Sequence, residues 1–293
     1  MAVLAPEAGG GGGGARRRFD VRLWLPTAWV ALVAILAMTA PWLHRVPLIR
    51  LKPNAKTLGK AGQLPSMKFW LGTDQIGRDI FSRLVWGGRV ALAVGVVAVV
   101  VAMVVGGTLG LVAGFYRGKV EVVLNTIVNT LLAFPALVLV LAIITFLGHN
   151  LWNIVTAIAI VGIPAFARIA YANTLAVSQR EYVLAARSLG AKNRRILFRE
   201  VLPNVILPLS AFALVVTAVA IVAEAGLAFL GLSIERPKPS WGSLIDDGRK
   251  LLVSKGVWHV SFIPIICMFL TVLSINLIGD RLRTLIDPRE AKV

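Results

Sequence analysis

Long apolar segments alternate with shorter polar segments along the chain. The apolar segments cover residues 26–43, 90–112, 122–147, 151–170, 205–230 and 261–278. Each is close to the roughly 20 residues that an α-helix needs to cross the hydrocarbon of a bilayer. Charged residues are concentrated in the polar segments between them. The pattern predicts an all-α polytopic membrane protein with about six transmembrane helices.

The predicted spans contain few polar side chains. Asn125 and Asn129 lie one helical turn apart in the third span, where amides usually bond to a neighbouring helix, and substrate contact is the alternative. Glu224 is the one acid well inside an apolar segment, so it is expected to face a bundle interior or water. It is a candidate cation contact, gate or clamp between helices. Pro135 and Pro164 predict kinks in the third and fourth spans.

The longest polar run after residue 90 covers residues 180–204 and predicts two short helices joined by a glycine. Four apolar residues of the first helix fall on one face: Tyr182, Ala185, Ala186 and Leu189. Gly190 follows, where a helix end favours a residue that tolerates positive φ. The second helix is predicted from residue 192 to about residue 201, with one apolar side made of Ile196, Leu197 and Val201. Pro203 is expected to end it.

Two interpretations of this loop follow from its residues alone. A basic amphipathic loop can lie on the lipid surface. A basic helix–turn–helix can also read DNA, but attachment of this loop to the membrane at both ends argues against that role. A third interpretation comes from a family resemblance, which is described below.

Composition supports a membrane protein and argues against several kinds of site. The chain of 293 residues is 57% hydrophobic and 15% charged, with mean hydropathy +0.80, whereas soluble domains are about a quarter charged. The net charge of +17 fits anionic lipid head groups or an acidic partner better than nucleic acid. The single cysteine, Cys267, precludes an intramolecular disulfide, and the three scattered histidines have no metal-site spacing. No phosphate-binding Gly-Lys-Ser/Thr motif is present, so no cofactor is expected on this chain.

The polar segments divide the chain into five parts. Residues 1–25 contain six consecutive glycines and then arginines, which predicts a flexible segment before a first transmembrane helix at 26–43. A cleavable signal peptide is the alternative for this region. Residues 44–89 predict an extramembranous loop with an interfacial helix at its end. Residues 90–279 predict a core of five helices that includes the 180–204 loop, and residues 280–293 predict a polar tail.

The 180–204 loop resembles the EAA loop of binding-protein-dependent ABC transporter permeases. The residues that match the motif are Ala185, Ala186, Gly190, Leu202 and Pro203. In that family the loop docks in a cleft of the cytoplasmic ATPase and carries its motion into the membrane. The resemblance therefore implies a coupling role for the motif and for its neighbours Glu181, Tyr182 and Arg187. Leu184 and Glu200 stand where the family often has Glu and His, so the docking contact is expected to differ in detail.

Further segments resemble one branch of that family, the C-type permease subunits for dipeptides, oligopeptides and nickel. The string LGTDQIGRDIFSRLVWGGRVAL begins at residue 71, and AEAGLAFLGLS surrounds Glu224. PKPSWGSLIDDGRKLL and the tail after residue 275 also match the branch. These motifs imply structural roles for Asp74, Gly77, Arg78, Asp79, Trp241, Asn276 and Asp280. Arg78 is expected to pair locally with Asp79, and Trp241 to lie at the membrane interface.

The resemblance covers roughly residues 71–288 and implies one subunit of a peptide-class ABC importer in the inner membrane. The implied partners are a sister permease in a heterodimer, two ATPase subunits and an extracytoplasmic substrate-binding protein. ATP and Mg are expected on the ATPases, and this chain is expected to catalyse nothing. The cargo could instead be nickel or haem. Two other classes stay open: a stand-alone secondary transporter that uses Glu224, and a non-conducting membrane scaffold.

Orientation follows mainly from the resemblance, because the charge distribution is nearly even. Six spans place both termini and the 180–204 loop on one side. That side carries 17 of the 31 Lys and Arg residues and the other side carries 14. Since the excess is small, positive charge alone does not orient the chain. The resemblance implies that both termini and the loop are cytoplasmic.

Overall fold

We describe residues 21–43, 53–54 and 59–286 in a computed structural model of the chain. The helices are α1 Val21–Leu43, α2 Ile80–Tyr116, α3 Gly118–Leu132, α4 Ala136–Leu147, α5 Leu151–Ser178, α6 Glu181–Ser188, α7 Asn193–Ile196, α8 Leu202–Phe229, α9 Trp241–Lys255 and α10 His259–Ile286. A π-helical turn, Leu197–Val201, joins α7 to α8. The all-α prediction is confirmed. The predicted flexible segment up to residue 20, most of the loop before residue 59 and the tail after residue 286 lie outside the described residues.

The centre of the bundle is the contact between α2 and α5, and glycines bring the two helices together. A Cβ atom on Gly106 or Gly110 would overlap the carbonyl oxygen of Ile163 or Ala167. Close backbone approach of this kind is how helices associate where water is absent. The contacts advance together along both helices, from Gly106 against Ile163 to Gly114 against Thr174, so α2 and α5 run parallel.

The connection between these parallel helices is a broken span. α3 and α4 meet at an angle of 85°. Sequence analysis predicts a kink at Pro135, but this residue instead stands at the N-cap of α4, outside both helices. Five helices are long and apolar enough to cross a membrane, or six when the bent pair counts as one. Because α2 and α5 are parallel, the pair must return the chain to the end of the bundle where α2 begins, which supports six crossings.

α2 differs from its predicted form, because it is one continuous helix of 37 residues. The predicted interfacial helix before residue 90 is its first part and is not separated from the span. Asp79 sets the start, since its side chain accepts a hydrogen bond of 2.8 Å from the backbone N–H of Ser82. α8 lies antiparallel to α2, with Leu209 near Gly107 and Ile221 near Gly95. α8 thus returns the chain to the end where α2 begins.

Pro203 does not end the second helix of the 180–204 loop, contrary to prediction. The chain stays helical from Asn193 to Phe229, through the π-helical turn and into α8. Pro203 occupies the first turn of α8. The missing N–H of proline costs little at this position, because the first N–H groups of a helix have no partner within the helix. A π-helical turn before a proline gives its ring room beside the preceding carbonyl groups. The loop is therefore attached to α8 without a flexible joint.

Candidate functional site

The first half of the 180–204 loop is a short helix with a defined glycine end. The N–H of Gly190 donates to the carbonyl of Arg187 at 3.0 Å, and the N–H of Ala191 donates to that of Ala186 at 3.1 Å. These two bonds form a Schellman motif, which needs positive φ at the residue after the helix. Gly190 has φ +78°. The spacing between the alanines and the glycine is thus explained by backbone geometry.

Four apolar side chains attach this loop to the end of the bundle where α2 and α5 finish. They are Val183, Ile196, Leu197 and Val201, and they pack in one core cluster with Phe115 of α2 and Val177 of α5. The predicted apolar side of the second helix is confirmed. In the first helix, however, Val183 is the buried residue. The face predicted from Tyr182, Ala185, Ala186 and Leu189 points largely away from the bundle.

The outward face of the loop presents apolar side chains that nothing in the described chain covers. Leu189 is 88% exposed and Phe198 is 55% exposed. Glu181, Arg187 and Pro203 are exposed beside them, and Leu202 is partly buried against the core. A Cβ atom on Gly190 would meet nothing within 4 Å. Exposed apolar residues ringed by charge are typical of a surface that binds another protein.

The opposite end of the bundle contains a buried ionic cluster, which we define as Asp74, Arg78, Arg83, Asp247 and Arg236. Arg78 Nε lies 2.6 Å from Asp74 Oδ2, and Arg78 Nη2 lies 3.4 Å from Asp247 Oδ2. Arg83 approaches the same two carboxylates at 3.5 and 3.6 Å. Arg236 Nη2 lies 2.9 Å from Asp247 Oδ1. The cluster connects the turn before α2, α2 itself, the segment between α8 and α9, and α9.

The residues around the cluster correct two predictions. Arg78 pairs with Asp74 and Asp247, whereas Asp79 caps α2. Trp241 is buried rather than interfacial, and its Nε1–H donates to the carbonyl of Leu84 at 2.9 Å. Gly77 has φ +80°, and a Cβ atom there would overlap a backbone carbonyl oxygen of the segment before it. The structural role predicted for this motif thus corresponds to an ion pair at Arg78, a helix cap at Asp79 and a close backbone approach at Gly77.

Asp246, on α9 beside the cluster, has a pKa that its neighbours control. Burial alone would raise the pKa of this carboxyl group, but hydrogen bonds and charges from Lys250 and Arg249 outweigh burial and hold it below its ordinary value. Lys250 Nζ lies 2.7 Å from Asp246 Oδ2. Arg249 and Lys250 are about half exposed, so solvent screens much of this stabilisation.

The predicted pore residues do not form one hydrogen-bonded group. Glu224 is fully buried in α8, and its Oε1 accepts a hydrogen bond of 2.6 Å from Ser233 Oγ. Its Oε2 has no hydrogen-bond partner among the described residues. Asn129 accepts a bond of 3.2 Å from Arg168 of α5, whereas Asn125 is partly buried nearby on α3. The amide of Asn129 thus connects two helices, as the packing interpretation expects.

Sequence reasoning missed the acid that completes the ionic cluster. Asp247 forms ion pairs with three arginines and accepts a hydrogen bond of 3.0 Å from the Gln75 amide, yet it lies 164 or more residues beyond most of them in sequence. Asp246 lies next to it, and the sequence alone does not indicate which of the two acids pairs with the arginines. The tail residues are less involved: Asn276 is partly buried and Asp280 is exposed. A charged residue beside a glycine-rich motif indicates that a buried partner exists, but the sequence pattern does not identify that partner.

Comparisons with known proteins agree on one class. The profile of the family described as "Binding-protein-dependent transport system inner membrane component" matches residues 106–292. A glutathione transport system permease protein from Pectobacterium atrosepticum is 42% identical over 225 residues, which are 77% of this chain and 74% of that protein. A dipeptide transport system permease protein from Alkalihalophilus pseudofirmus is 39% identical over 255 residues, which are 87% and 82% of the two chains.

A solved structure shares the fold. A chain of the MetNI methionine ABC transporter in an inward-facing conformation superimposes with a TM-score of 0.59 at 19% sequence identity. The match covers 70% of this chain and 96% of that one. At this identity the likeness is evidence for the fold alone. The fold is that of an ABC importer permease, as the resemblance implies.

Proposed function

This chain belongs to the family of binding-protein-dependent transport system inner membrane components, and we propose that it forms half of the pore of an ATP-driven importer for small peptides. It is a multi-pass inner membrane protein and the permease subunit of its transport system. The peptide cargo is proposed because relatives at about 40% identity are glutathione and dipeptide permeases. The proposed partners are a sister permease, two ATPase subunits and an extracytoplasmic binding protein.

The observation that carries the coupling role is the exposed apolar face of the 180–204 loop. The buried side chains fix one side of the loop to the ends of α2 and α5, and α8 continues directly from its second helix. A partner that moved the exposed side would therefore move α8 as well. We propose that ATP binding draws the two ATPases and their docked loops together, and that this motion opens the pore outward. Hydrolysis then returns the pore to its inward-facing state.

In this scheme the 180–204 loop, both termini and the tail are cytoplasmic. The ionic cluster and α9 lie at the extracytoplasmic end, where a binding protein would deliver cargo. ATP and Mg bind to the partner subunits, and this chain supplies the path and the mechanical contact. Because α2 and α5 run parallel, the loop and the cluster lie at opposite ends of the bundle, and in this scheme they face opposite sides of the membrane.

Exchange of Gly190 for valine tests the coupling role. A β-branched residue is strained at φ +78°, so Gly190→Val should distort the turn between the two loop helices. Nothing lies within 4 Å of its new Cβ, so the bundle core should keep its packing. We expect loss of transport-stimulated ATP hydrolysis in the reconstituted complex, with normal amounts of the subunit in the membrane.

Gly118→Val is the matched control. Gly118 also has positive φ, +60°, and open surroundings, and it lies at the same end of the bundle between α2 and α3. We expect this variant to retain stimulated hydrolysis. Wild-type hydrolysis in Gly190→Val would remove the loop from the mechanism.

Glu224 supports one alternative, since a buried carboxylate oxygen with no partner among the described residues is a possible proton site. A secondary transporter of this kind would move cargo without ATP and would lose transport in Glu224→Gln. We favour a packing role, because the Ser233 hydroxyl connects this carboxylate to the segment that follows α8. Uptake by the reconstituted complex with and without ATP distinguishes the two functions.

A further inference from the structure

A cavity of about 930 Å³ lies at the same end of the bundle as the ionic cluster. It is bounded by the end of α1, residues 86–93 of α2, the turn between α4 and α5, and the segment between α8 and α9. Ligand sites for small molecules typically have volumes of about 300–1,000 Å³. The cavity is therefore large enough for a short peptide with some of its water.

Its lining combines apolar walls with a small number of charged groups. Apolar side chains from α2, α5 and the α8–α9 segment include Val90, Leu151 and Ile234. Among the described residues, the charged ones that line it are Arg89, Glu235 and Lys238. Apolar walls with a few polar groups are the usual composition of a binding site.

Neighbouring contacts hold the α8–α9 wall in place. The N–H of Glu235 donates to the carbonyl of His149 at 3.2 Å, which joins this wall to the α4–α5 turn. Arg236, the next residue, is paired with Asp247 of the ionic cluster at 2.9 Å. Arg83 Nη1 donates to the carbonyl of Pro237 at 3.4 Å. The wall of the cavity is thus held by contacts within the chain.

Within residues 21–43, 53–54 and 59–286, Arg89, Glu235 and Lys238 take part in no ion pair. Arg89 is exposed, with its guanidinium 5.1 Å from the ring centre of Trp86, which holds it beside the opening. His149 Nδ1 is buried and has no hydrogen-bond partner in the same part of the chain.

We propose that this cavity binds a short peptide that carries two carboxylates and one ammonium group. Two cations, Arg89 and Lys238, match the two carboxylates, and the single anion, Glu235, matches the ammonium. The apolar wall would contact the peptide's side chains and backbone carbons. The inference rests on the proposed peptide importer and assigns a substrate site to this subunit, in addition to any site on a binding protein.

A lipid head group is the other source of such charges. A phosphatidylserine head group carries a phosphate, a carboxylate and an ammonium group, so it matches the same three lining residues, and the experiment distinguishes the two ligands. The proposed ligand is a net-negative peptide, with an additional carboxylate that a simple dipeptide lacks.

The test measures peptide binding to the intact transporter complex in phosphatidylcholine nanodiscs, without binding protein or nucleotide. The probes are Glu-Ala, which has two carboxylates, and Ala-Ala, which has one. The variants are Arg89→Gln, Lys238→Gln and Glu235→Gln, with Lys255→Gln as the control. Lys255 is an exposed lysine at the end of α9 that does not line the cavity.

We expect the wild type to bind Glu-Ala about fivefold more tightly than Ala-Ala, because the second carboxylate adds one partly screened charge pair. Arg89→Gln and Lys238→Gln should each reduce that preference, whereas Glu235→Gln should weaken both probes. Lys255→Gln should match the wild type. Equal binding of both probes by the wild type, or wild-type binding in all three cavity variants, would overturn the proposal.

Two further measurements distinguish failure of the cavity site from failure of the proposed function. Loss of co-purified phospholipid in Arg89→Gln, without peptide binding to the wild type, would assign the cavity to a head group and overturn the peptide site. ATP-driven uptake of Glu-Ala is measured in the same preparation after the binding protein is added. Uptake without any effect of the cavity variants rejects this site alone. Absence of ATP-driven uptake of any peptide rejects the proposed function itself.

Discussion

The two ends of the bundle differ in how they use charge and space. At one end, the ionic cluster buries four charged side chains and pairs them with one another and with the more exposed Arg236. At the other end, the 180–204 loop leaves both its charges and several apolar side chains exposed. The ionic cluster pairs its charges within the chain, whereas the charges on the outward face of the loop form no ion pair in the described chain and its apolar side chains stay exposed. This difference indicates which surface requires a partner protein.

Two glycines show the same difference between the two ends of the bundle. Gly77 has φ +80° and Gly190 has φ +78°, so their backbone requirements are nearly equal. A Cβ atom on Gly77 would overlap the carbonyl oxygen of Gly59, whereas one on Gly190 would meet nothing. One turn is enclosed by its own chain, and the other leaves space that a second protein can occupy.

The largest expected effect comes from removal of Asp247. Asp247→Ala leaves Arg78 and Arg83 buried beside a single carboxylate, which should destabilise the fold by about 3–5 kcal/mol. Thermal unfolding of the purified subunit complex in detergent measures this loss. Asp280→Ala, at an exposed acid of α10, should unfold as the wild type does. Equal stability of the two variants would show that the cluster is not a structural anchor.

The paired glycines provide the next test. Gly77→Ala and Gly190→Ala each introduce a strained backbone that costs of order 1–3 kcal/mol. Gly77→Ala must also displace the Gly59 carbonyl, so its unfolding midpoint should fall clearly further. The same thermal measurement compares both. If Gly190→Ala were the less stable protein, the loop would be packed more tightly than its open surroundings indicate.

A charge on the exposed face should change association without changing stability. Leu189→Asp should weaken recovery of the ATPase subunits about 30-fold, as loss of a 2 kcal/mol interface contact would. Val253→Asp is the control, because Val253 is 81% exposed at the other end of the bundle. Pull-down from the native membrane with quantitative mass spectrometry measures both. Full recovery of ATPases with Leu189→Asp would exclude this face as their binding site.

The smallest effect is a pH dependence at Asp246. Its pKa is depressed in the folded state, so its contribution to stability is present above the ordinary carboxyl value of about 4 and is lost as pH falls through the folded pKa. Because its three cationic partners, Arg236, Arg249 and Lys250, are about half exposed, the loss should be below about 1 kcal/mol. Unfolding midpoints between pH 5 and pH 3 should fall less in Asp246→Asn than in the wild type. An unchanged slope would contradict the assignment.

The local features of both ends are largely visible in the sequence, but their partners are not. Apolar periodicity predicts the spans, and the Ala-Ala-to-Gly190 spacing predicts the turn, because both depend on neighbours within one helix. The buried residue Val183 and the pairing of Arg78 with Asp247 depend on distant segments. The continuous helix through Pro203 was mispredicted because a π-helical turn has no strong local signal.

The central claim is that the outward face of the 180–204 loop contacts an ATPase subunit. A photoreactive phenylalanine analogue placed at Leu189 tests it directly in the native membrane, and the same analogue at Val253 controls for exposure. After irradiation, the account predicts crosslinks from position 189 to an ABC ATPase subunit and none from position 253. Crosslinks from position 189 to lipid or to this chain alone would contradict it and would identify the loop as a membrane-surface element.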